Sequence, residues 1–190
     1  MALPSLKPFS LVGGTALSLR YGHRSSEDLD LFLHEKFDIK IIENELNVVF
    51  GSEFNYESGH KNIGIFCYIK KIKIDIVYFP HIPIEEIEVM DNIRMYSIAD
   101  ISAMKIQAIL GRGKKKDFWD LYELLQHYTL QQLIDWHKQK YPSQMLAISI
   151  PNAITYFAEA EESETPVSFK NQNWEQIKKG ISKIVSDYLR

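Results

Sequence analysis

LVGGTALSLRYGHRSSEDLDLF, Leu11 to Phe32, sets a glycine pair at the mouth of an apolar helical pattern and two aspartates two residues apart in the alternating run that follows. Phe9 to Val12 reads as a short strand, and Thr15 to Tyr21 as a helix whose Leu17 and Tyr21 fall at i, i+4. Gly13 and Gly14, at the junction, let the backbone turn tightly, admit a close neighbour where a Cβ would stand, and offer free N–H groups at a helix start. That geometry suits an anion, with the Thr15 hydroxyl either capping the helix or reaching a phosphate. It equally suits a close-packed strand-to-helix turn. Asp28 to Leu33 alternates as a strand, so Asp28 and Asp30 share a face, near enough to share one magnesium ion, while Leu29, Leu31 and Leu33 fill the opposite face. The alternative for the two acids is a solvated polar face.

Working outward, Asp38 to Phe50 carries helical spacing through Ile41, Ile42, Leu46 and Val49. Three β-rich runs follow: FNYES (54–58), NIGIFCYIK (62–70) and KIKIDIVYF (71–79), the last two joined at Lys70 and Lys71 as a hairpin or meander that ends by Pro80 and Pro83. In the last run Ile72, Ile74 and Ile76 form one face and Lys71, Lys73, Asp75 and Val77 the other. Asp75 is the only acid there. It either pairs with Lys73 or serves as a base toward an incoming hydroxyl beside the metals.

From Ser97 the pattern is helical. SIADISAMKIQAILGRG leads to a second run near Asp117 in DFWDLYELLQHY, and further helical spacing covers Leu130–Tyr141, part of Met145–Ala160, and Trp174–Leu189, with AEESETPVSFKNQN (160–173) as a loop. Lys105, Arg112 and Lys116 stand at intervals of seven and four, one helical face if the helix survives Gly111 and Gly113. Lys105, embedded in apolar SAMKIQAI, either reaches a phosphate or snorkels. Lys114 and Lys115 read as a solvated turn. The layout is α+β, with a mixed strand and helix core over 1–95 and a helical region over 96–190 packed on it.

Acidic residues outnumber Lys plus Arg by 25 to 22 in 190 residues, so any polyanion has to be met by a local basic patch. No apolar run approaches the length of a membrane helix, and MALPSLKPFS has neither the charged nor the apolar region of a leader, so a cytoplasmic location with no membrane partner is expected. Cys67 is the only cysteine, which excludes an internal disulfide and a multi-cysteine zinc site and reads as a buried, inert thiol.

Gly-Gly-Thr-Ala-Leu from Gly13, then Gly22, His23, Arg24, Ser26, Asp28 and Asp30, then Lys105, Arg112, Lys116, Asp117 and Asp120 resemble the AbiEii-type toxin family of nucleotidyltransferases. These are bacterial abortive-infection and toxin–antitoxin enzymes of the DNA polymerase β superfamily. The resemblance implies a polymerase β-like palm, a mixed sheet flanked by helices, with a helical C-terminal part. It also implies Mg²⁺-dependent transfer of a nucleoside monophosphate from an NTP to a hydroxyl of tRNA or protein, and a cognate antitoxin. Carried over by position, Gly13, Gly14 and Thr15 would hold the triphosphate, and Asp28 and Asp30 would bind a two-ion metal site. Asp75 would be the third ligand or the base. Lys105 and Arg112 would contact phosphate, and Asp117 would act as a catalytic or supporting acid, with His23 and Ser26 shaping the loop. The family usually has a helical segment before the glycines, where about a dozen residues stand here, so a short member is expected. Two alternatives stay open: an inactive nucleotide-binding or interaction module with the same fold, and a metal-dependent nuclease. The glycine pair argues against the nuclease, which gains little from a triphosphate cradle.

Overall fold

Strand alternation and helical spacing place most of the elements in the computed structural model, which describes residues 2–57 and 63–190. β1 (Ser10–Val12) runs straight into α1 (Gly13–Tyr21), and β2 (Leu29–Leu33) leads to α2 (Ile39–Phe50), whose first turn is capped by Asp38 accepting the Lys40 N–H at 2.8 Å. Next come β3 (Phe54–Glu57), β4 (Gly64–Ile69), β5 (Ile72–Tyr78), β6 (Glu88–Met90) and β7 (Ile93–Met95). The rest is helical: α3 (Ile98–Gly111), α4 (Lys115–Leu124), α5 (Leu130–Lys140), α6 (Ile150–Ala153) and α7 (Trp174–Tyr188). The outer ends of two predicted runs, Ser58 and Asn62, lie outside the described residues.

Among the described residues seven strands join one mixed sheet in the order β3-β4-β5-β2-β1-β7-β6, and the fold is α+β. β2 pairs antiparallel with β1 and parallel with β5, and β7 runs parallel to β1. One row across the sheet links Leu11, Leu31, Ile76 and Ile65 as successive cross-strand partners, all buried. This is the apolar face that alternation predicts, and α2 packs on that part of the sheet through Ile42 and Leu46. Residues of opposite parity, Asp30 and Asp75 among them, therefore face the other way. Beyond the sheet α3 packs against α1, α4 and α5, and α7 packs on α4. Among the described residues no helix is long and apolar enough to cross a membrane. Burial pushes the Cys67 thiol up to about 11, as suits an inert side chain.

The structure adds to these readings in three places. The β6–β7 hairpin was not legible, because each strand has only three residues; its turn is Asp91–Asn92, both at positive φ like Lys70–Lys71 in the β4–β5 hairpin. Lys105 and Lys116 do not share a helix: Arg112 leaves helical geometry at φ −147° and Gly113 turns at φ +36°, so α4 starts anew. Within Met145–Ala160 only α6 and a short 3₁₀ turn at Ala158–Ala160 form, since Pro151 sits in the first turn of α6, lacks an N–H, and fits only at a helix start.

The loop after β5 is fixed from beneath by a buried ion pair. Lys140 Nζ of α5 lies 2.5 Å from Asp100 Oδ1 of α3, both side chains fully buried, and Asp100 also accepts the Ile84 N–H at 3.0 Å and the Ser97 hydroxyl at 2.8 Å. Removing one partner leaves an uncompensated charge. Asp100→Asn and Lys140→Met should each lose about 3–5 kcal/mol in urea unfolding, and the double variant less than their sum, because it leaves no lone charge behind.

Candidate active site

Parallel pairing of β2 with β5 sets Asp30 directly opposite Asp75, with Asp28 just before β2. The glycines serve these side chains. Gly13, at φ +72°, faces Asp30 so closely that a Cβ would collide with the carboxylate, and a Cβ on Gly14 would collide with the Arg24 guanidinium. The turn is thus close-packed, and its tightness makes room for two charged groups. The Thr15 hydroxyl is engaged within the loop: it donates to the Asp28 carbonyl and lies 2.9 Å from Ser26 Oγ.

A cleft of about 310 Å³ opens between two walls. Asp28, Asp30, Asp75 and Lys73 belong to the strand side; Lys105, Arg112, Lys114, Lys116 and Asp117 come from the α3–α4 corner, and Gly14, Arg24 and Ser26 complete the lining. Lysines bridge to the acids, Lys116 Nζ at 3.2 Å from Asp28 Oδ2 and Lys73 Nζ at 2.8 Å from Asp75 Oδ2. Asp75 Oδ1 is buried and has no partner among the described residues. Burial raises the Asp30 pKa, and the neighbouring charges of Asp75 and Asp28 push it the same way against the pull of Lys105. Such a carboxylate favours a cation. Among the described residues, however, no group of three or more His, Cys, Asp or Glu side chains is arranged to enclose a metal ion unaided.

Behind the cleft lies Asp120, fully buried. Its Oδ1 accepts from Arg24 Nε and from His23 Nε2, each at 2.7 Å, and its Oδ2 accepts from Arg24 Nη2 and Lys105 Nζ, also at 2.7 Å. Burial alone would raise the Asp120 pKa, but Lys105, His23 and Arg24 together hold it well below the carboxylate range. The same balance acts on Lys105: burial works to lower its pKa, and Asp120 and Asp117 outweigh it and raise it. Lys105 therefore does not snorkel. Its ammonium has three protons, two of them committed to Asp120 and to Asp117 Oδ1 at 3.1 Å, which leaves one for the cleft. Asp117 Oδ2 in turn accepts the Lys114 N–H at 3.2 Å and so starts α4.

Seven of the sequence-derived candidates line this one cleft: Gly14, Asp28, Asp30, Asp75, Lys105, Arg112 and Asp117. Gly13 and Thr15 stand behind its lining. Lys73 pairs with Asp75 as one of the two readings had it, while Lys114, read as solvated turn, is part of the wall. Arg24 was visible only as a motif letter, and Asp120 as one of the two aspartates that follow and hold the basic series. Their signal was chemical: an arginine next to a histidine, and an acid three positions after Asp117, with no apolar periodicity to explain either.

The chain is similar to known proteins in sequence and in fold. The family described as "Nucleotidyl transferase AbiEii toxin, Type IV TA system" matches residues 2–187. An uncharacterised protein of Aquifex aeolicus strain VF5 is 32% identical over 187 residues, covering 95% of this chain and 88% of that protein. Two solved structures share the fold: MenT4, a nucleotidyltransferase toxin of Mycobacterium tuberculosis H37Rv, at TM-score 0.63 and 13% identity over 94% of this chain and 75% of that one; and JHP933 of Helicobacter pylori, at TM-score 0.55 and 19% identity over 94% and 82%.

Asp120 gives a test at the level of stability. Its depressed folded pKa means that it stabilises the protein above the ordinary carboxylate value of about 3.9, a contribution lost as pH falls below that value toward its folded pKa. Asp120→Asn should be about 3 kcal/mol less stable at pH 7 in urea unfolding. It should then lose less than the wild type between about pH 4 and pH 3, since the titrating group is gone.

Proposed function

This chain belongs to the AbiEii family of nucleotidyl transferase toxins of type IV toxin–antitoxin systems, and from that premise we propose that its cleft moves a nucleoside monophosphate from an NTP to a hydroxyl of tRNA or protein, with Mg²⁺ as the cofactor. The reaction takes place in the cytoplasm, and a cognate antitoxin restrains it. One observation supports this reading above the others: Asp30 and Asp75, in register on neighbouring strands, face a basic corner whose Lys105 is held with a proton to give.

The donor set fits the cofactor. Mg²⁺ takes hard oxygen ligands, commonly one or two carboxylates plus substrate phosphates, which matches an acid pair that encloses no ion alone. Asp28 and Asp30 would hold the ion, with Asp75 as the third acid. When bound, the ion neutralises charge on the transferring phosphoryl group and the leaving oxygen.

The chain's own residues do the rest. Gly14 lets the backbone approach the triphosphate, and Gly13 and Thr15 act from behind by fixing Asp30 and the Asp28 carbonyl. Lys105 donates its remaining proton to a phosphate oxygen; Arg112 and Lys114, both exposed at the α3–α4 corner, meet the departing pyrophosphate. Asp117 is a positioning residue, because both of its oxygens are engaged, one with Lys105 and one with the start of α4. Asp75 Oδ1, buried with no donor among the described residues, accepts the proton of the attacking hydroxyl as it adds to the α-phosphorus in line.

Incubation with Mg²⁺, each α-labelled NTP, and total tRNA or cell protein should label one acceptor class with one preferred NTP. Asp30→Ala and Lys105→Met should lower the rate by about 10²-fold or more. Equal labelling by wild type and Asp30→Ala would sink the assignment. NTP binding in calorimetry with no transfer to any acceptor would make the protein a binding module instead.

A further inference from the structure

Asp30 and Phe32 share one face of β2, and Asp75, Val77 and Phe79 share the same face of β5 and its extension, where the Phe79 N–H donates to the Leu33 carbonyl at 2.8 Å. The Phe32 and Phe79 rings meet with centroids 5.2 Å apart. Four residues beyond Asp75, about 13 Å at strand rise, this face reaches a second cavity, of about 580 Å³, lined by Phe79, His81, Gln107, Tyr141 and Gln144.

The walls of that cavity are mainly aromatic rings and amides, with Pro142 and Ser143 beside them. His81 lies 4.8 Å from the Phe79 ring and 4.8 Å from Tyr141, edge to face with the latter at 70°. Gln107 Oε1 is 2.9 Å from His137 Nε2, and burial depresses His137 to about 4, so the ring is neutral at pH 7, donates to that oxygen, and leaves the Gln107 amide protons to the cavity. Tyr141 and Gln144 add a hydroxyl and a second amide. Among the described residues no Lys or Arg lines the cavity.

The floor carries a buried ion pair. Lys140 Nζ sits 5.4 Å from the centroids of both Phe79 and Tyr96, and its fully buried partner Asp100 holds the turn that carries His81 through the Ile84 N–H. The acid cleft does not use this pair. What it fixes is the orientation of flat rings around paired donors and acceptors, without any cation for a phosphate.

We propose that this cavity is a nucleobase subsite, which stacks a heteroaromatic ring on His81 or Tyr141 and reads its edge through Gln107 and Gln144. The proposal rests on the nucleotidyl-transfer reading of the neighbouring cleft. The base belongs either to the incoming NTP or to a nucleotide acceptor, and the chemistry of recognition is the same.

Nucleosides without phosphate or metal isolate the subsite. Adenosine, guanosine, cytidine and uridine are titrated into the intact protein and followed by saturation-transfer NMR and calorimetry. At least one should bind saturably; His81→Ala, and Tyr141→Leu, which keeps the apolar bulk, should each weaken it about tenfold or more, while Asp30→Asn leaves it unchanged. Displacement of that nucleoside by excess Mg²⁺–NTP supports the subsite and assigns it to the incoming nucleotide; retention supports it and assigns it to the acceptor. Absence of nucleoside binding, or equal binding by wild type and both cavity variants, overturns the proposal. If Mg²⁺–NTP still binds the wild type and fails on Asp30→Asn, the transfer reading survives that loss. Failed NMP transfer with nucleoside binding intact would count against the transfer reading alone.

Discussion

One buried carboxylate, Asp120, holds the site together across the chain. It binds His23 and Arg24, which precede it by 97 and 96 positions, and Lys105 on the neighbouring helix. Three nitrogen-bearing side chains saturate the acceptor sites of this carboxylate, so without it Arg24 Nε and Nη2 and His23 Nε2 would be buried donors lacking their partner, and Lys105 would keep only Asp117. The C-terminal loop adds to the same point: the Ser25 N–H donates to the Val167 carbonyl at 2.9 Å, and the Phe169 N–H to the His23 carbonyl at 3.0 Å. Residues from the start, middle and end of the chain are thereby fixed to one another before any ligand is considered.

That anchoring holds charges of both signs around one cleft, some paired, as Lys116 with Asp28 and Lys73 with Asp75, and some only partly committed. Arg24 has its Nε and both terminal nitrogens engaged, two with Asp120 and one with the Ser25 carbonyl at 2.7 Å. Lys105 keeps one proton uncommitted. On the strand side Asp30 is crowded by acids and on the corner side Arg112 and Lys114 are exposed, so the cleft carries a gradient from negative to positive across its width. A phosphate chain bridged to carboxylates by a cation is the kind of ligand that satisfies both walls at once.

The sequence carried the strands and helices whose period is long enough to read, and it carried the acids because alternation in Asp28–Leu33 and Lys71–Phe79 fixes their face. It did not carry the β6–β7 hairpin, since three residues per strand hold less than two periods. The break between α3 and α4 depended on a backbone conformation at Gly113 that spacing alone leaves open. Thr15 illustrates a different limit. Its hydroxyl could serve a phosphate or the backbone by type, and only the approach of the Asp28 carbonyl and Ser26 decides that it is engaged within the loop. Arg24 and Asp120 stood in the motif, but their pairing was not legible, for a related reason: a buried ion pair between distant positions leaves no periodic trace.

The glycine pair follows from the same logic of faces. Leu29, Leu31, Ile74 and Ile76 point to the apolar side of the sheet, and the residues between them, Asp30 and Asp75, point to the cleft. A slip of one residue between β2 and β5 would turn the whole apolar set of one strand outward, so burial of those leucines and isoleucines is what keeps the two acids opposite each other. β1 is tied to the same register, with Val12 opposite Asp30, which brings Gly13 against the Asp30 carboxylate. A side chain at Gly13 would have to displace either the acid or the strand, and the strand is held by the core. The glycine is thus required by packing first, and the open approach it leaves beside Asp30 is what the chemistry can use.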